Sequence, residues 1–260
     1  MIRLRTTLAA GVGLALLLTG CSDDASTDTA ATSSSAASAD SRQSPAYTGE
    51  LPDRPTGGDP VSCDYSPSGD AARDVRAPAA EDVAATGTLP AQITTSAGVI
   101  GVDLDRAAAP CAVNSFVSLA EQGYFDGTPC HRLVTSPGLQ VLQCGDPTGT
   151  GRGGPGYGFD TEYPENLYSS GDPQLRQPVI YPRGTVAMAN TGRPGSNGSQ
   201  FFLVYEDSEL SPAYTVFGTI DEAGLTVIEE IAAEGTDNSS RVGDGAPNRS
   251  VDIESVTVGS

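Results

Sequence analysis

The 260-residue chain contains no Lys and no Trp, and its only His is His131. All 14 basic residues are therefore Arg, they form no basic run, and 33 acidic residues bring the formal net charge to −19. Because such a surface repels phosphate groups, we expect no nucleic-acid partner. A single His leaves no His cluster for zinc and little material for a Ser–His or Cys–His pair. We therefore interpret His131 as a structural residue and expect no metal and no other cofactor.

Long apolar runs are also missing, with one exception near the N-terminus. The stretch Leu8–Leu18 follows Arg3 and Arg5 and is shorter than the roughly 20 residues that a membrane-spanning helix needs, which is typical of a signal peptide. The tetrapeptide Leu-Thr-Gly-Cys that ends at Cys21 resembles the bacterial lipobox. We predict that residues 1–20 are a lipoprotein signal peptide and that lipidated Cys21 anchors the chain at the extracytoplasmic face of the cell membrane. The alternative is an ordinary secretory signal with an incidental Cys.

The segment after Cys21 offers little material for a hydrophobic core. Residues 22–48 are almost entirely small and polar, and residues 49–85 are acidic and rich in Pro and Gly. We predict that residues 21–85 form a disordered or extended tether and that a packed domain occupies residues 86–260. Aromatic residues make up only 6% of the chain, whereas 31 Gly and 19 Pro favour short strands and turns over long helices.

Hydrophobic periodicity predicts the elements of this domain. Pro90–Thr95 and Val99–Leu104 alternate apolar and polar residues around a short turn, as in a β-hairpin. Helices are predicted at Cys111–Gln122, with Gly123 behind it, and at Leu225–Glu234. Further short strands are predicted at His131–Thr135, Leu139–Cys144, Gly184–Ala189, Gln200–Tyr205, Thr215–Ile220 and Ser250–Val258. Many short strands and two helices indicate a mainly β domain arranged as an antiparallel barrel.

A glycine-rich run at residues 149–154 matches the pattern G-x-G-x-x-G of dinucleotide-binding sites. Such a site needs a helix directly after the motif. Pro155 and Gly156 are incompatible with that helix. We therefore interpret the run as a flexible surface loop without a nucleotide.

Three separated motifs are more informative. The first is His131-Arg132, followed after a turn by residues 141–146; the second is residues 186–190; the third is residues 195–202, with Val-Phe-Gly at 216–218 behind it. In order and spacing these motifs resemble the cyclophilins, the cyclosporin-binding family of peptidyl-prolyl cis/trans isomerases. The resemblance extends from about residue 97 to the C-terminus, and its most specific part is Asn-Gly-Ser-Gln-Phe-Phe within the third motif.

The resemblance implies a fold and an activity. The expected fold is a closed eight-stranded antiparallel barrel capped by two helices, with the active site on its outer face. The expected activity is isomerisation of X–Pro bonds in proline-containing polypeptides by a monomer that assists the folding of exported proteins. The alternative is a non-catalytic module of the envelope that binds proline-containing segments or acts as a chaperone.

Carried over residue by residue, the resemblance also implies a site. Arg132 would donate a hydrogen bond to the prolyl nitrogen of the twisted amide or to the adjacent carbonyl, and Gln143 would hold Arg132 and the substrate in place. The other expected substrate-binding residues are Val141, Ala189, Asn190, Gln200, Phe202, Leu210 and Tyr214.

Three positions depart from the family pattern. Gln140 stands where the family has an aromatic residue, Glu209 stands at the usual Trp position, and Tyr214 stands at the usual pocket His. We expect these changes to weaken cyclosporin binding more than catalysis. Gln140 and Glu209 are also the reason to keep the non-catalytic alternative.

Four cysteines follow Cys21, and four cysteines allow three disulfide connectivities. An exported compartment is often oxidising, which favours disulfides. The cyclophilin register places Cys130 and Cys144 on neighbouring antiparallel strands, within reach of each other. The resemblance thus implies the pair Cys130–Cys144 and leaves Cys63 and Cys111 for the second.

Overall fold

The computed structural model describes residues 44–259, which fall within one compact unit. The predicted signal peptide, the predicted lipidation site Cys21 and the first part of the predicted tether lie outside the described residues. Within residues 44–259, no helix is both long and apolar enough to span a membrane.

The described residues form short strands, two α-helices and two 3₁₀ turns. The strands are β1 (Ser66–Pro67), β2 (Thr88–Thr95), β3 (Gly98–Asp105), β4 (Thr128–Pro129), β5 (Arg132–Ser136), β6 (Leu139–Cys144), β7 (Tyr157–Gly158), β8 (Val179–Tyr181), β9 (Thr185–Met188), β10 (Phe201–Glu206), β11 (Ser208–Leu210), β12 (Val216–Ile220), β13 (Asp244–Gly245) and β14 (Asp252–Val258). The helices are α1 (Pro110–Glu121) and α2 (Glu222–Ala233), and the 3₁₀ turns are Glu165–Leu167 and Pro173–Arg176.

The main sheet has ten strands in the order β13-β5-β6-β10-β9-β12-β3-β2-β14-β4, and every neighbouring pair is antiparallel. The expectation of a closed eight-stranded barrel is wrong in both respects. Eight strands of four or more residues form the middle of the sheet, and the two-residue strands β4 and β13 add one strand at each edge. No ladder within residues 44–259 joins these two edges, because each short strand pairs on one side only. Two small sheets, β1–β7 and β8–β11, complete the fold.

The predicted hairpin is confirmed as β2 and β3, paired from Thr88↔Asp105 to Thr95↔Gly98. The Thr95 hydroxyl organises its turn, since Oγ1 accepts the N–H of Ala97 and donates to the Gly98 carbonyl at 2.7 Å. Alternate residues of both strands are buried, as a half-buried sheet requires. The hairpin therefore follows from local turn chemistry and apolar alternation together.

Both predicted helices are also present. Helix α1 begins at Pro110, whose missing N–H is tolerated in the first turn, and Gly123 follows its end with φ +65°. Helix α2 begins three residues before the predicted start, because the Asp221 carboxylate caps it by accepting the N–H of Gly224 at 2.6 Å. The Asp221 cap is a local signal that apolar spacing alone does not reveal.

The buried side chains form two clusters, one on each face of the sheet. The larger cluster lies under α1 and α2 and contains Phe201; the second contains Phe202, Val134 and Val141. Because successive strand residues face opposite ways, Phe201 and Phe202 separate into these two clusters. The second cluster lies on the face that carries the candidate site.

Residues 44–85 have little regular secondary structure, yet they pack against the rest of the compact unit. The disulfide Cys63–Cys111 joins them to α1 with a Cα–Cα distance of 5.6 Å, and the Tyr65 hydroxyl donates to the Cys111 carbonyl at 2.9 Å. The Arg73 guanidinium donates to three carbonyls that follow α1, including that of Tyr124 at 3.0 Å. This part of the predicted tether therefore packs against α1 and the turn that follows it.

Candidate active site

The backbone ladder aligns the two predicted catalytic residues, Arg132 and Gln143, with the predicted substrate-binding residue Phe202 across three strands. Arg132 on β5 is directly opposite Gln143 on β6, and Gln143 is directly opposite Phe202 on β10. Neighbouring strands lie about 4.8 Å apart and directly opposed residues share a face, so these side chains form one row. Gln143 lies 11 residues after Arg132, and Phe202 lies 59 residues after Gln143. Only the register of the sheet makes these three residues contiguous.

The Arg132 guanidinium is held from two sides. Its Nε and Nη2 donate to the two carboxylate oxygens of Asp244 at 2.8 Å each, and Nη1 donates to Gln143 Oε1 at 3.2 Å. Asp244 is buried, with 3% of its side chain exposed, whereas Arg132 is 37% exposed. The hydrogen bond with Arg132 lowers the pKa of Asp244, and the same contact raises the pKa of Arg132. The result is a fixed cation that still faces solvent.

Gln143 connects this pair to the glycine-rich loop. Its Nε2 donates to Gln200 Oε1 at 2.9 Å, and Gln200 Nε2 donates to the carbonyl of Gly153 at 3.0 Å. Each amide thus both accepts and donates, which fixes its orientation. A continuous chain of side-chain hydrogen bonds runs from Asp244 through Arg132 and Gln143 to Gln200.

A cavity of about 250 Å³ opens beside Arg132. Its walls combine apolar side chains with a few polar groups, a composition typical of small ligand sites. It is lined by Arg132, Leu139, Val141, Gln143, Ala189, Asn190, Phe202, Leu210 and Tyr214. We call it the proline cavity, after the role that the sequence analysis predicts for its lining residues. Among the residues predicted for substrate binding, only Gln200 lies outside its lining, and Leu139 is an addition that the sequence analysis missed.

Two aromatic rings shape one wall of the proline cavity. The rings of Phe202 and Tyr214 meet edge-to-face with centroids 5.6 Å apart. The Tyr181 hydroxyl donates to the Tyr214 carbonyl at 3.1 Å, which holds Tyr214 in place. Tyr214 therefore occupies the position expected for a pocket residue.

The two other departures from the cyclophilin pattern lie away from the proline cavity. Gln140 lies next to Val141 on β6 and therefore faces the opposite side of the strand, and its N–H donates to the Ser208 hydroxyl at 3.0 Å. Glu209 is exposed on β11, opposite Ile180. The apolar wall is instead completed by Leu139 and Leu210.

His131 lies between β4 and β5 rather than inside a strand, and it does not line the proline cavity. Burial lowers its pKa. A Cβ on Gly151 would lie 3.4 Å from the His131 ring, so the ring packs under the glycine-rich loop. This position agrees with a structural role.

The glycine-rich loop folds around the buried Asp146. The Asp146 carboxylate accepts the N–H groups of Thr148 at 2.8 Å and of Arg152 and Gly153 at 3.1 Å each. Burial raises the pKa of Asp146, but the hydrogen bonds from Thr148 and the loop outweigh it, so the pKa lies below its usual value. The charged Asp146 fixes Gly153, and Gly153 in turn orients Gln200.

Two disulfides flank these elements. Cys130–Cys144, with Cα atoms 4.0 Å apart, joins the residue before His131 to the residue after Gln143. Cys63–Cys111 is the second. Both pairs are those that the cyclophilin register implies.

Asp244 is a second site residue, besides Leu139, that the sequence analysis missed. It is 112 residues from Arg132 and reaches it because β13 pairs with β5, with Asp244 opposite Val134. A two-residue strand inside a turn-rich segment has no periodic signal. Only the composition of the segment, with Arg241 and Asp244 beside glycines, could have hinted at an ion pair.

Comparisons with known proteins agree with this geometry. The family model "Cyclophilin type peptidyl-prolyl cis-trans isomerase/CLD" matches residues 91–258. The chain is 53% identical over 210 residues to "Probable peptidyl-prolyl cis-trans isomerase B" of Mycobacterium tuberculosis and 54% identical over 198 residues to its namesake in Mycobacterium leprae. These alignments cover 79% and 75% of this chain. They cover 66% of each relative, so the chain spans slightly less than two thirds of their length.

A solved structure is similar as well. A cyclophilin type peptidyl-prolyl cis-trans isomerase of Cryptosporidium parvum superposes with a TM-score of 0.54 at 29% identity, over 67% of this chain and 99% of that chain. A second structure, determined in the presence of the dipeptide Ala-Pro, gives a TM-score of 0.52 at 29% identity, over 66% of this chain and 99% of that chain. The motifs, the mainly β fold and the matched family model lead to one conclusion: the chain belongs to the cyclophilin-type peptidyl-prolyl cis-trans isomerase family.

Proposed function

We propose that this protein catalyses cis/trans isomerisation of X–Pro peptide bonds in polypeptides. The observation that carries the proposal is the Arg132 guanidinium, fixed by Asp244 and Gln143 at the wall of a cavity of about 250 Å³ that apolar and polar side chains line together. The names of the relatives and the solved structure with Ala-Pro support the same activity and substrate class.

The reaction explains why such a site suffices. Rotation about the X–Pro bond breaks amide resonance and has a barrier of about 18–20 kcal/mol. In the twisted state the prolyl nitrogen becomes pyramidal and gains a lone pair, to which a fixed guanidinium can donate a hydrogen bond. Arg132 would stabilise the twisted amide more than either planar form, which lowers the barrier. The step breaks no bond and transfers no proton.

The surrounding residues would hold the substrate. Phe202, Val141 and Leu210 would enclose the proline ring, together with Leu139 and Tyr214. Ala189, Asn190 and Gln200 would contact the substrate backbone, and Gln200 also fixes the Gln143 amide by accepting its Nε2–H. The Asn190 side chain is already fixed, since Nδ2 donates to the Ala213 carbonyl at 2.8 Å.

Activity can be tested with a short proline peptide whose cis and trans forms are resolved by NMR. The full-length protein should accelerate exchange between the two forms. Peptide binding without acceleration would instead favour the non-catalytic binding module. Gln140 and Glu209, which motivated that alternative, both lie outside the proline cavity.

We also propose that the protein acts outside the cytoplasm, as a monomer anchored through lipidated Cys21, on exported polypeptides. The lipobox-like tetrapeptide and the two disulfides support this location. Cys21→Ala should move the protein from the membrane fraction to the soluble fraction. Unchanged fractionation of this variant would contradict the anchor and leave the isomerase proposal intact.

A further inference from the structure

A segment that precedes the family-matched residues packs along residues 154–158. Strand β1 (Ser66–Pro67) pairs with β7, and the N–H groups of Ser68 and Ala72 donate to the Gly156 and Gly154 carbonyls at 3.0 and 2.8 Å. Residues 65–73, which we call the N-terminal edge, thus run along the glycine-rich loop as an added border. The 210-residue alignment with the Mycobacterium tuberculosis relative is longer than the family segment 91–258, so part of it precedes residue 91.

The N-terminal edge is anchored at both ends. At its start, the ring of Tyr65 meets the rings of Tyr157 and Phe159 edge-to-face at 5.6 and 5.7 Å. At its end, Arg73 donates to the carbonyls that follow α1. The segment between these anchors, Ser68–Asp70, is therefore held in place although its side chains are exposed.

This held segment forms one wall of a second cavity, of about 450 Å³. The opposite walls come from residues 151–155, which include most of the glycine-rich loop, and from residues 196–200. The second cavity shares Gln143, Ala189 and Asn190 with the proline cavity. A polypeptide whose proline occupies the first cavity would therefore continue into the second.

The charges around the second cavity favour a cation. Its lining contains one carboxylate, Asp70 of the N-terminal edge, and one guanidinium, Arg152. Behind the loop, the buried carboxylate of Asp146 accepts the N–H groups of Arg152 and Gly153. Two carboxylates against one guanidinium leave a formal excess of negative charge, and the chain as a whole carries −19.

Resting on the proposed function, we infer that the N-terminal edge completes a specificity subsite that selects proline-containing polypeptides with Lys or Arg within a few residues of the proline. Asp70 is the selecting residue. Its carboxylate comes from outside the family-matched residues and lines the second cavity.

The test compares peptides that differ in one residue, with Lys, Ala or Glu placed in turn on each side of the proline. Dissociation constants and cis/trans exchange rates are measured for the full-length wild type, Asp70→Asn and Asp74→Asn. Asp74 is the matched control, because it is exposed on the same stretch of chain but does not line the cavity. Wild type should bind a Lys peptide more tightly than its Glu counterpart. Asp70→Asn should weaken Lys-peptide binding about three- to fivefold, as expected for one exposed ion pair, and leave Ala peptides unchanged.

Equal effects of the two Asn variants, or a wild-type preference for Glu peptides, would overturn the subsite. The outcome for the proposed function is read separately from the exchange rates. Charge-selective binding without acceleration would support the subsite and refute the isomerase activity. Acceleration without charge selectivity would refute the subsite and support the activity.

Discussion

Arg132 and Asp244 form a bidentate ion pair, with Nε and Nη2 each 2.8 Å from a carboxylate oxygen of Asp244. The Asp244 carboxylate is buried, whereas the Arg132 guanidinium remains partly exposed. Its Nη1 donates to Gln143, and the Arg132 side chain lines the proline cavity. An unsupported Arg side chain samples many rotamers, and fixing it before substrate binds removes that entropy cost from the reaction. Asp244 is therefore a positioning residue for Arg132.

Asp244→Asn should lower kcat/KM by about 10- to 100-fold, because misplacing a catalytic group by about 1 Å costs that much. The loss should fall mainly on kcat, since Asp244 does not line the proline cavity. Peptide exchange kinetics at several substrate concentrations separate the two constants. Asp244→Glu, which restores the charge, should recover part of kcat.

Arg241 provides the control for this prediction. Its Nε lies 3.2 Å from Asp244 Oδ2, but its side chain is 63% exposed. Arg241→Ala should leave kcat close to wild type, because the Arg132 contacts to Asp244 persist. If Asp244→Asn kept the wild-type kcat, the positioning role would be wrong.

Glu162 should make stability depend on pH. Its carboxylate accepts the N–H groups of Cys111 and Ala112 at 3.0 and 2.8 Å at the start of α1, and burial raises its pKa to about 7. The folded state therefore binds more protons than the unfolded state between pH 4.5, the ordinary value, and about pH 7. The stabilisation is fully present below the unfolded pKa and is lost as pH rises through the folded pKa.

Glu162→Gln removes this titration. The free energy of unfolding of wild type relative to Glu162→Gln should fall by roughly 2–3 kcal/mol between about pH 4.5 and pH 7.5, since one pKa unit corresponds to about 1.4 kcal/mol. Urea unfolding of both proteins across this range measures the difference. If the free energies of unfolding of the two proteins changed in parallel with pH, burial would not raise the pKa of Glu162.

The Cys130–Cys144 disulfide closes a short loop, with a sequence separation of 14. Replacing both cysteines by Ser should lower the free energy of unfolding by about 3 kcal/mol, because the unfolded chain regains loop freedom. The double replacement at Cys63 and Cys111, with a separation of 48, should cost about 4 kcal/mol. Urea unfolding under oxidising conditions checks both values. Identical behaviour of wild type and the Cys130/Cys144 variant would refute the first.

Much of the fold could be predicted because local signals agree with the final structure. The predicted bounds of β6, Leu139–Cys144, are those observed, and α1 is shifted by one residue at each end. The β4 and β13 strands could not be predicted, since two residues carry no periodicity. Barrel closure also depends on edge pairing, which no single segment encodes.

Some residues of the candidate site could likewise be predicted from the sequence, and others could not. Arg132, Gln143 and Phe202 lie in family-specific motifs, so the sequence identifies them and the register brings them together. Asp244 and Asp70 lie in polar, glycine-rich segments, where an Asp ordinarily indicates a turn. Their positions depend on long-range anchors, the β5–β13 pairing for one and the Tyr65 and Arg73 contacts for the other.

We propose that Arg132 accelerates rotation about the X–Pro bond, and the cis/trans exchange rate of a proline peptide with wild type, Arg132→Ala and Arg132→Lys tests this role. Wild type should accelerate exchange, Arg132→Ala should lose at least about 100-fold in kcat/KM, and Arg132→Lys should recover only a small part because an ammonium cannot reproduce the bidentate contact. Circular dichroism and peptide affinity confirm that the variants stay folded and retain the proline cavity. Wild-type exchange rates in a folded Arg132→Ala protein would contradict the account.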